Sequence, residues 1–312
     1  MLKYVLKRLG YILVTLWVIV TCTFFMMKNL PGTPFDAERF SIMTPQQQER
    51  VLEMYGLNDS LPMQYVKYIK NMLKGDLGTS FTYVNQDVSK VITGRLGPSA
   101  LIGIQAVLIG LAIGLILGIL AAWKHNSGID YFTMILAVLG VSVPNFVAAA
   151  LLQYYIGLKW GALPVGFWTG WNCSVLPSIA LSFSATAMVA RFMRTEMLDV
   201  LDQDYIVTAR AKGLSQMKVL MRHAVRNSIL PVVTILGPIV VNLMTGSLAV
   251  ENIFSIPGIG SLFVDCIKAN DYPVIMGITI FYAAFYMLIV LLVDLAYSLI
   301  DPRIRLATGK ES

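Results

Sequence analysis

The stretch Ser99–Trp123, SALIGIQAVLIGLAIGLILGILAAW, decides the fold of this chain. It contains no charged side chain, and it is longer than the about 20 residues that a helix needs to cross the hydrocarbon core of a bilayer. Gly110, Gly114 and Gly118 recur at four-residue steps, so they share a helix face that another backbone can approach closely. We therefore predict a membrane-spanning helix with a closely packed glycine face, and static packing is favoured over a sliding surface.

Five further charge-free runs are long enough to span a membrane. They are Leu9–Met27, Tyr131–Leu158, Trp160–Ala190, Asn227–Val250 and Tyr272–Val293. Only 13% of the 312 residues are charged and 56% are hydrophobic, whereas about a quarter of the residues of a soluble domain are charged. We expect an all-α polytopic membrane protein with six transmembrane helices, the first of them uncleaved because no A-x-A type site follows it.

Basic residues predict the orientation. Lys3, Lys7 and Arg8 precede the first run, further basic residues crowd the loop 191–226, and Arg303 and Arg305 follow the last run. Lys and Arg in short loops favour the cytoplasmic side, so both termini are predicted to be cytoplasmic. The net charge of +6 is then a sign of topology and requires no nucleic-acid partner.

Three segments follow from this topology. Residues 1–27 form the cytoplasmic N-terminus and the first transmembrane helix, and residues 28–97 form an extracytoplasmic helical cap. Residues 98–312 form the core, with five transmembrane helices, the cytoplasmic loop 191–226 and a cytoplasmic tail in which Pro302 ends the last helix.

Several single residues leave alternatives open. Pro144, Pro231 and Pro238 are expected to interrupt the backbone hydrogen-bond ladders of their spans, either in kinked helices beside a transport path or at packed bends. Cys173 and Cys266 both fall in outer loops, where a disulfide or two free thiols are compatible with the sequence. Asp294, directly after the last charge-free run, is the one charged residue at membrane depth in the predicted topology, and pairing or capping is favoured over a substrate role.

Motifs for catalysis are missing from the sequence. No G-x-x-x-x-G-K-[ST] phosphate loop is present, and the two histidines belong to no H-E-x-x-H motif or Cys/His cluster. We therefore expect a chain that is not an enzyme and that has no catalytic residue, no metal site and no cofactor of its own.

The inner loop carries the segment Tyr205–Asn227, YIVTARAKGLSQMKVLMRHAVRN, which we call the hook. Gly213 is predicted to close a first helix in the left-handed conformation, and Ser215 to cap a second. In the second helix an apolar face is predicted for Met217, Leu220, Met221 and Ala224, and a basic face for Lys218, Arg222 and Arg226. Such a helix lies on anionic lipid or docks a cytoplasmic protein.

Within the hook, Val207–Gly213 resembles the EAA loop of bacterial ATP-binding-cassette importer permeases, in the T-A-R-A-K-G form seen in peptide permeases. Val207 and Thr208 stand where the general motif has Glu and Ala. Five other segments resemble the dipeptide and oligopeptide permease family, namely LPGTPF, YGLNDSLPMQY, KGDLGTSF, GSLAVENIFSIPGIGSLF and YSLIDPRIR. The segment LPGTPF, together with Glu49-Arg50 or Glu38-Arg39, resembles the oligopeptide B subunits of this family in particular.

The resemblance implies the architecture of a type I importer permease in the bacterial cytoplasmic membrane, which takes up oligopeptides. It implies a homologous second permease as heterodimer partner, two cytoplasmic ATP-binding subunits that hold ATP and Mg²⁺, and an extracytoplasmic peptide-binding protein. Relatives carry dipeptides, glutathione or nickel, so these substrates stay open. A secondary transporter or channel and a membrane receptor or scaffold are the competing classes.

The resemblance also implies site residues. The hook becomes the coupling helix that seats in an ATPase, through Thr208, Ala209, Arg210, Ala211, Lys212, Gly213 and Leu214. Arg210 and Lys212 are expected to meet acidic or carbonyl groups. Outside, a sharply turned loop is predicted to dip toward the membrane, to dock the binding protein or to form a compact turn, and its candidate residues are Glu251, Phe254, Pro257, Gly258 and Gly260. The sequence assigns no residue to the substrate path.

Overall fold

A computed structural model describes residues 2–29, 40, 42–54, 56–83 and 86–300, with the side chains of residues 2–6, 54, 294 and 296–300 left out. Four predictions lie outside these residues, namely those for LPGTPF, for Glu38-Arg39, for the side chain of Asp294 and for the tail from Asp301. The described helices, in chain order, are α1 Leu2–Lys28, α2 Pro45–Met54, α3 Leu61–Met72, α4 Val88–Trp123, α5 Gly128–Ser142, α6 Asn145–Leu152, α7 Val175–Leu201, α8 Asp204–Ala211, α9 Gln216–Val219, α10 Arg226–Met244, α11 Leu248–Ile253, α12 Ile259–Lys268 and α13 Tyr272–Ile300.

Candidate membrane spans dominate these helices. Five helical stretches are long and apolar enough to cross a bilayer, and the number is six if the bent pair Gly128–Ser142 and Asn145–Lys159 is one span. The predicted all-α polytopic fold is therefore confirmed. The orientation of the termini stays a prediction.

The third predicted span is broken. α5 and α6 are bent by 101°, and Pro144 occupies the N-cap position of α6, because proline disfavours a helical conformation in the residue before it. Pro231 and Pro238, in contrast, lie inside the continuous helix α10. Each lacks the N–H that would donate to the preceding turn, so the predicted interruption of the hydrogen-bond ladder occurs there without a break in the helix.

The fourth predicted span is displaced along the sequence. Residues 160–170 form turns, a short 3-10 helix covers Trp171–Ser174, and α7 then continues to Leu201. Part of the predicted cytoplasmic loop 191–226 is therefore a direct extension of α7. The apolar run alone could not locate the start of α7. The Trp, Phe and Gly residues in 160–174 extend the apolar run, although they do not belong to this helix.

Contacts group the chain into two compact units, whereas the predicted three-segment division rests on topology and stays a prediction. The first unit is Pro98–Gly258 with the described part of Phe285–Ser312, and the second is Leu2–Gly97 with Ile259–Ala284.

In the first unit α7 is the central helix, and the glycine face of α4 packs against it. A Cβ added at Gly114 would lie 2.7 Å from Val189 Cβ, and one added at Gly118 would lie 2.6 Å from the Ala190 carbonyl oxygen. Such distances leave no room for a side chain. The close approach predicted from the glycine spacing is confirmed.

In the second unit, the last turns of α1 pack against the cap helix α3. The Phe24 and Tyr65 ring centroids are 5.3 Å apart, and the Thr21 and Tyr65 hydroxyl oxygens are 2.7 Å apart. Asp271, fully buried just before α13, accepts hydrogen bonds from the Ser80 hydroxyl and from the N–H groups of Phe81 and Thr82. One carboxylate thus fixes the end of the segment KGDLGTSF and the residue that follows it.

Candidate functional site

The first half of the hook is helix α8 with a glycine turn. The Gly213 N–H donates to Arg210 O at 2.9 Å, and the Leu214 N–H donates to Ala209 O at 3.4 Å, while Gly213 has φ +76°. These two bonds and the left-handed residue form a Schellman motif, in which glycine avoids the steric cost that a Cβ would bring. The predicted helix end is confirmed.

A small apolar cluster anchors α8 to the membrane helices. Ile206, Ala209 and Val219 are buried and pack with Val200 and Leu201 at the end of α7. Ala209 is therefore 6% exposed and faces inward. Every third or fourth residue of α8 has to face the spans, and the predicted part of Ala209 in seating an ATPase stays a prediction.

The second half of the hook begins as predicted and then departs from the expected face. Ser215 occupies the N-cap position but its hydroxyl makes no capping bond, and a π-helical turn covers Leu220–Val225. Leu220 and Ala224 are buried as expected, whereas Met217 and Met221 are about half exposed, at 50% and 52%. The π turn shifts the register, so Val219 takes the inward position instead.

The outer surface of the hook combines apolar and basic side chains. Of the predicted coupling residues, all except Ala209 are exposed; they are Thr208, Arg210, Ala211, Lys212, Gly213 and Leu214. The exposed apolar neighbours are Tyr205, Val207, Met217 and Met221. Lys218, Arg222 and Arg226 are also exposed, and none of the hook's basic side chains forms an ion pair with a described residue. A helical surface with methionines and unpaired cations suits docking of a protein with an acidic rim.

Hydrogen bonds connect both ends of the hook to spanning helices. Asn227 Nδ2 donates to the Tyr205 hydroxyl at 2.9 Å, which links the start of α10 to α8. The Ser228 hydroxyl lies 3.2 Å from Glu196 O on α7 and 2.9 Å from Ala224 O. Because α7 and α10 both hold the hook, a displacement of the hook moves these two helices with it.

A buried ion pair close to this end of α7 was not singled out by the sequence. Arg194 Nε donates to Asp130 Oδ1 at 2.5 Å, and Arg194 Nη2 donates to Oδ2 at 2.7 Å, so the pair is bidentate. His125 Nδ1 and the Asn126 N–H lie 3.1 and 3.0 Å from Asp130 Oδ2. The pair ties α5 to α7, and the signal available for it was an isolated acidic residue at the start of a charge-free run.

The extracytoplasmic candidate loop is divided between the two units. In the first unit Glu251 and Phe254 are 3% and 1% exposed, and the Ser99 hydroxyl donates to Glu251 Oε1 at 2.7 Å. Gly258 is buried, Pro257 is partly exposed, and Gly260 belongs to α12 in the second unit. The burial of Glu251 and Phe254 fits a compact turn, so a docking surface would have to use other side chains.

The same loop is fastened to the segment before α7. Gln153 Nε2 donates to Ile253 O at 2.7 Å, and the Phe167 N–H donates to Phe254 O at 2.8 Å. Cys173 and Cys266 are buried free thiols, so of the two alternatives left open the structure has the reduced one.

One large cavity lies in the first unit, with a volume of about 1050 Å³. It is bounded by α4, α5, α6 and α7, and its mostly apolar lining includes the residues Thr133, Ser182 and Thr186. A peptide backbone requires many hydrogen-bonding partners, so this apolar cavity does not by itself identify the substrate path. Among the residues that the structure describes, no group of three His, Cys, Asp or Glu could hold a metal ion.

Two family models match the chain. Residues 114–306 match the binding-protein-dependent transport system inner membrane component, and residues 1–96 match the N-terminal part of such membrane components. The first match contains the hook and the loop that is predicted to be extracytoplasmic.

Similar proteins align with this chain over nearly its whole length. A dipeptide transport system permease protein of Lactococcus lactis is 46% identical, with 98% of this chain and all of that protein covered. An oligopeptide transport system permease protein of Haemophilus influenzae is 39% identical with the same coverage. A crystal structure of an amino acid ABC transporter chain is 20% identical with a TM-score of 0.51, covering 69% of this chain and 94% of that chain, and this similarity concerns the fold alone.

Proposed function

Since this chain belongs to the family of binding-protein-dependent transport system inner membrane components, we propose that it is the membrane-spanning permease subunit of an ATP-driven peptide importer in a bacterial inner membrane. Full-length relatives are named dipeptide and oligopeptide permeases at 46% and 39% identity. Both substrate classes are supported equally, and neither glutathione nor nickel appears in the names of these relatives.

The observation that carries the mechanism is the hook, a rigid helical element with an exposed outer surface. Its inner side is built into α7 through Ile206 and Val219, so a force on the outer surface reaches the spans without loss in a flexible loop. We propose that a cytoplasmic ATPase binds Arg210, Lys212, Met217 and Met221, and that its closure on ATP and Mg²⁺ moves the hook. The permease itself contributes no catalytic group to hydrolysis.

The proposed assembly contains this chain, a homologous second permease, two ATP-binding subunits and an extracytoplasmic peptide-binding protein. Membership in a family of binding-protein-dependent transport components supports the last of these. The stoichiometry is part of the proposal, and mass measurement of the intact complex purified through this chain checks it.

The experiment that tests the coupling role is site-directed crosslinking in native membranes. Ala211→Cys places a thiol on the exposed surface, and Ala209→Cys is the matched control because that position is buried. Both variants are made in a chain whose Cys22, Cys173 and Cys266 are replaced by serine or alanine. We expect Ala211→Cys to capture an ATP-binding subunit in a nucleotide-dependent manner and Ala209→Cys to capture none. Capture of no ATPase by a normally inserted Ala211→Cys variant would favour the receptor or scaffold class.

The substrate class is tested by competition. Uptake of a labelled dipeptide by cells that contain the complete importer is measured against unlabelled dipeptides, tripeptides and pentapeptides. Competition by dipeptides alone identifies a dipeptide permease, and competition by pentapeptides identifies an oligopeptide permease. Absence of competition by every peptide would contradict the proposal.

A further inference from the structure

A second cavity lies in the unit formed by Leu2–Gly97 and Ile259–Ala284, with a volume of about 350 Å³. Phe24 and Lys28 from the last turns of α1 line it, as do Tyr272 and Met276 from the first turns of α13. α1 ends a candidate membrane span at Lys28, and α13 begins another at Tyr272. The cavity is therefore located where membrane helices meet water.

Two charges in this cavity lack a partner among the described residues. Lys28 is half-buried, and its Nζ lies 5.8 Å from the centroid of the Phe24 ring, without a carboxylate at ion-pair distance in the described ranges. Glu53 lines the same cavity and likewise pairs with no described cation. The other two charged residues in the wall have partners. Lys67 forms an ion pair with Asp59 at 2.5 Å, and Asp76 Oδ1 accepts a hydrogen bond from the Gly78 N–H at 2.8 Å.

A third polar group in the wall is also unsatisfied. The Tyr68 hydroxyl oxygen is buried and has no hydrogen-bond partner among the residues that the structure describes. Buried polar groups without a partner are rare, because each one forfeits its hydrogen bond to water. Tyr68 lines the cavity, so a ligand oxygen that reaches this hydroxyl removes that penalty.

We propose that this cavity binds the zwitterionic headgroup of an ethanolamine phospholipid. Lys28 and the Tyr68 hydroxyl bind the phosphate, and Glu53 binds the ammonium group. A volume of 350 Å³ is near the lower end of the about 300 to 1,000 Å³ usual for ligand pockets, so it accommodates a headgroup but not the acyl chains.

Location favours a lipid over a peptide, which also carries an amine and a carboxylate. Lys28 extends directly from a membrane helix whose neighbouring Phe25 and Met26 are 42% and 65% exposed. Their apolar surface offers acyl chains a path along α1 while the headgroup occupies the cavity. A peptide arriving from water gains nothing from this arrangement.

The test uses the full-length protein, purified with the partners it retains in detergent micelles. Phosphatidylethanolamine and phosphatidylglycerol are titrated separately, and apparent affinity is measured from the thermal shift and from native mass spectrometry. The variants are Lys28→Gln, Glu53→Gln and Tyr68→Phe. Lys70→Gln and Glu49→Gln are matched controls, because both positions are exposed in the same unit and outside the cavity wall.

We expect Lys28→Gln and Glu53→Gln each to weaken phosphatidylethanolamine binding about tenfold, as the loss of one charge-assisted hydrogen bond predicts. Glu53→Gln is expected to leave phosphatidylglycerol binding unchanged, because that lipid has no ammonium group. Tyr68→Phe is expected to reduce the thermal shift given by phosphatidylethanolamine while leaving the lipid-free protein at least as stable.

Three results would overturn the proposal. One is equal affinity for the two lipids in the unsubstituted protein. Another is unchanged phosphatidylethanolamine binding in both charge variants. The third is displacement of the lipid by a dipeptide such as alanyl-phenylalanine, which would assign the cavity to peptide. None of these outcomes depends on transport activity, so they are separable from the test of the coupling role.

Discussion

Gly258 lies directly against the buried carboxylate of Glu251. A Cβ added at Gly258 would be 2.3 Å from both Glu251 Cδ and Oε1, and Glu251 is 3% exposed. The Ile256 N–H donates to Glu251 O at 2.8 Å, and the Gly258 N–H donates to Ile256 O at 2.9 Å. The turn after α11 therefore closes around its own glutamate, and only glycine leaves room for the carboxylate.

Gly258→Ala is expected to destabilise this turn severely. The methyl group would displace a carboxylate that accepts the Ser99 hydroxyl, and overpacking of a tight interior costs about 1 to 3 kcal/mol. We expect a lower apparent melting temperature in detergent for Gly258→Ala. Gly170→Ala is the control, because a Cβ there meets nothing within 4 Å, and equal melting temperatures for the two variants would contradict the clash.

The sequence predicted the hook's first helix more accurately than its second. Gly213 identified the end of α8 because a left-handed residue after a helix is a local requirement that glycine satisfies on its own. The face of the second helix depends on packing against α7, and the π turn over Leu220–Val225 has no local sequence signal. Met217 and Met221 were thus assigned inward on a regular 3.6-residue period that the chain does not follow.

Long-range polar contacts were beyond the sequence for a different reason. Asp130 and Arg194 are 64 positions apart and meet only after α5 packs on α7. Burial of Glu251 likewise depends on Ser99, 152 positions away. Periodicity and turn residues report on neighbours within a few positions, so the spans were found and the pairs inside them were not.

Loss of one partner of the Arg194–Asp130 pair is expected to destabilise the first unit strongly. Asp130 is 2% exposed, and Asp130→Asn leaves the Arg194 guanidinium without its counter-charge, at an expected cost of about 3 kcal/mol. Removing both charges with Asp130→Asn and Arg194→Met should restore much of that loss. Apparent melting temperatures of the single and double variants form the cycle, and strictly additive losses would show that the two residues do not interact.

Cys266 provides a pH prediction. Burial, followed by the negative charges of Asp271 and Asp265, raises the pKa of this thiol from 9.0 to about 12. The unfolded chain therefore releases the thiol proton above pH 9 while the folded chain retains it, so the stability that depends on the protonated form decreases between pH 9 and about 12. The slope from one group reaches about 1.4 kcal/mol per pH unit.

Unfolding measured in detergent across this pH range checks the direction. Cys266→Ala should flatten the decrease, and Cys22→Ala, at an exposed position, is the control. A maleimide should also modify Cys266 slowly at pH 8 until the protein is unfolded. Rapid modification of Cys266 in the folded protein would contradict both its burial and its raised pKa.

Gly213→Ala separates backbone conformation from packing within the hook. Gly213 has φ +76°, and an added Cβ would meet nothing within 4 Å, so the whole cost of the substitution is the left-handed conformation, about 1 kcal/mol. Gly128→Ala is the matched control, because its Cβ also meets nothing and its φ lies outside the left-handed range.

We expect Gly213→Ala to lower the melting temperature slightly and to reduce peptide-stimulated ATP hydrolysis by the assembled importer, because the strained turn tilts α8 away from its docking orientation. Gly128→Ala should change neither quantity. Full ATPase stimulation in a Gly213→Ala complex would show that the partner reads the side chains of the hook and tolerates changes in the shape of its turn.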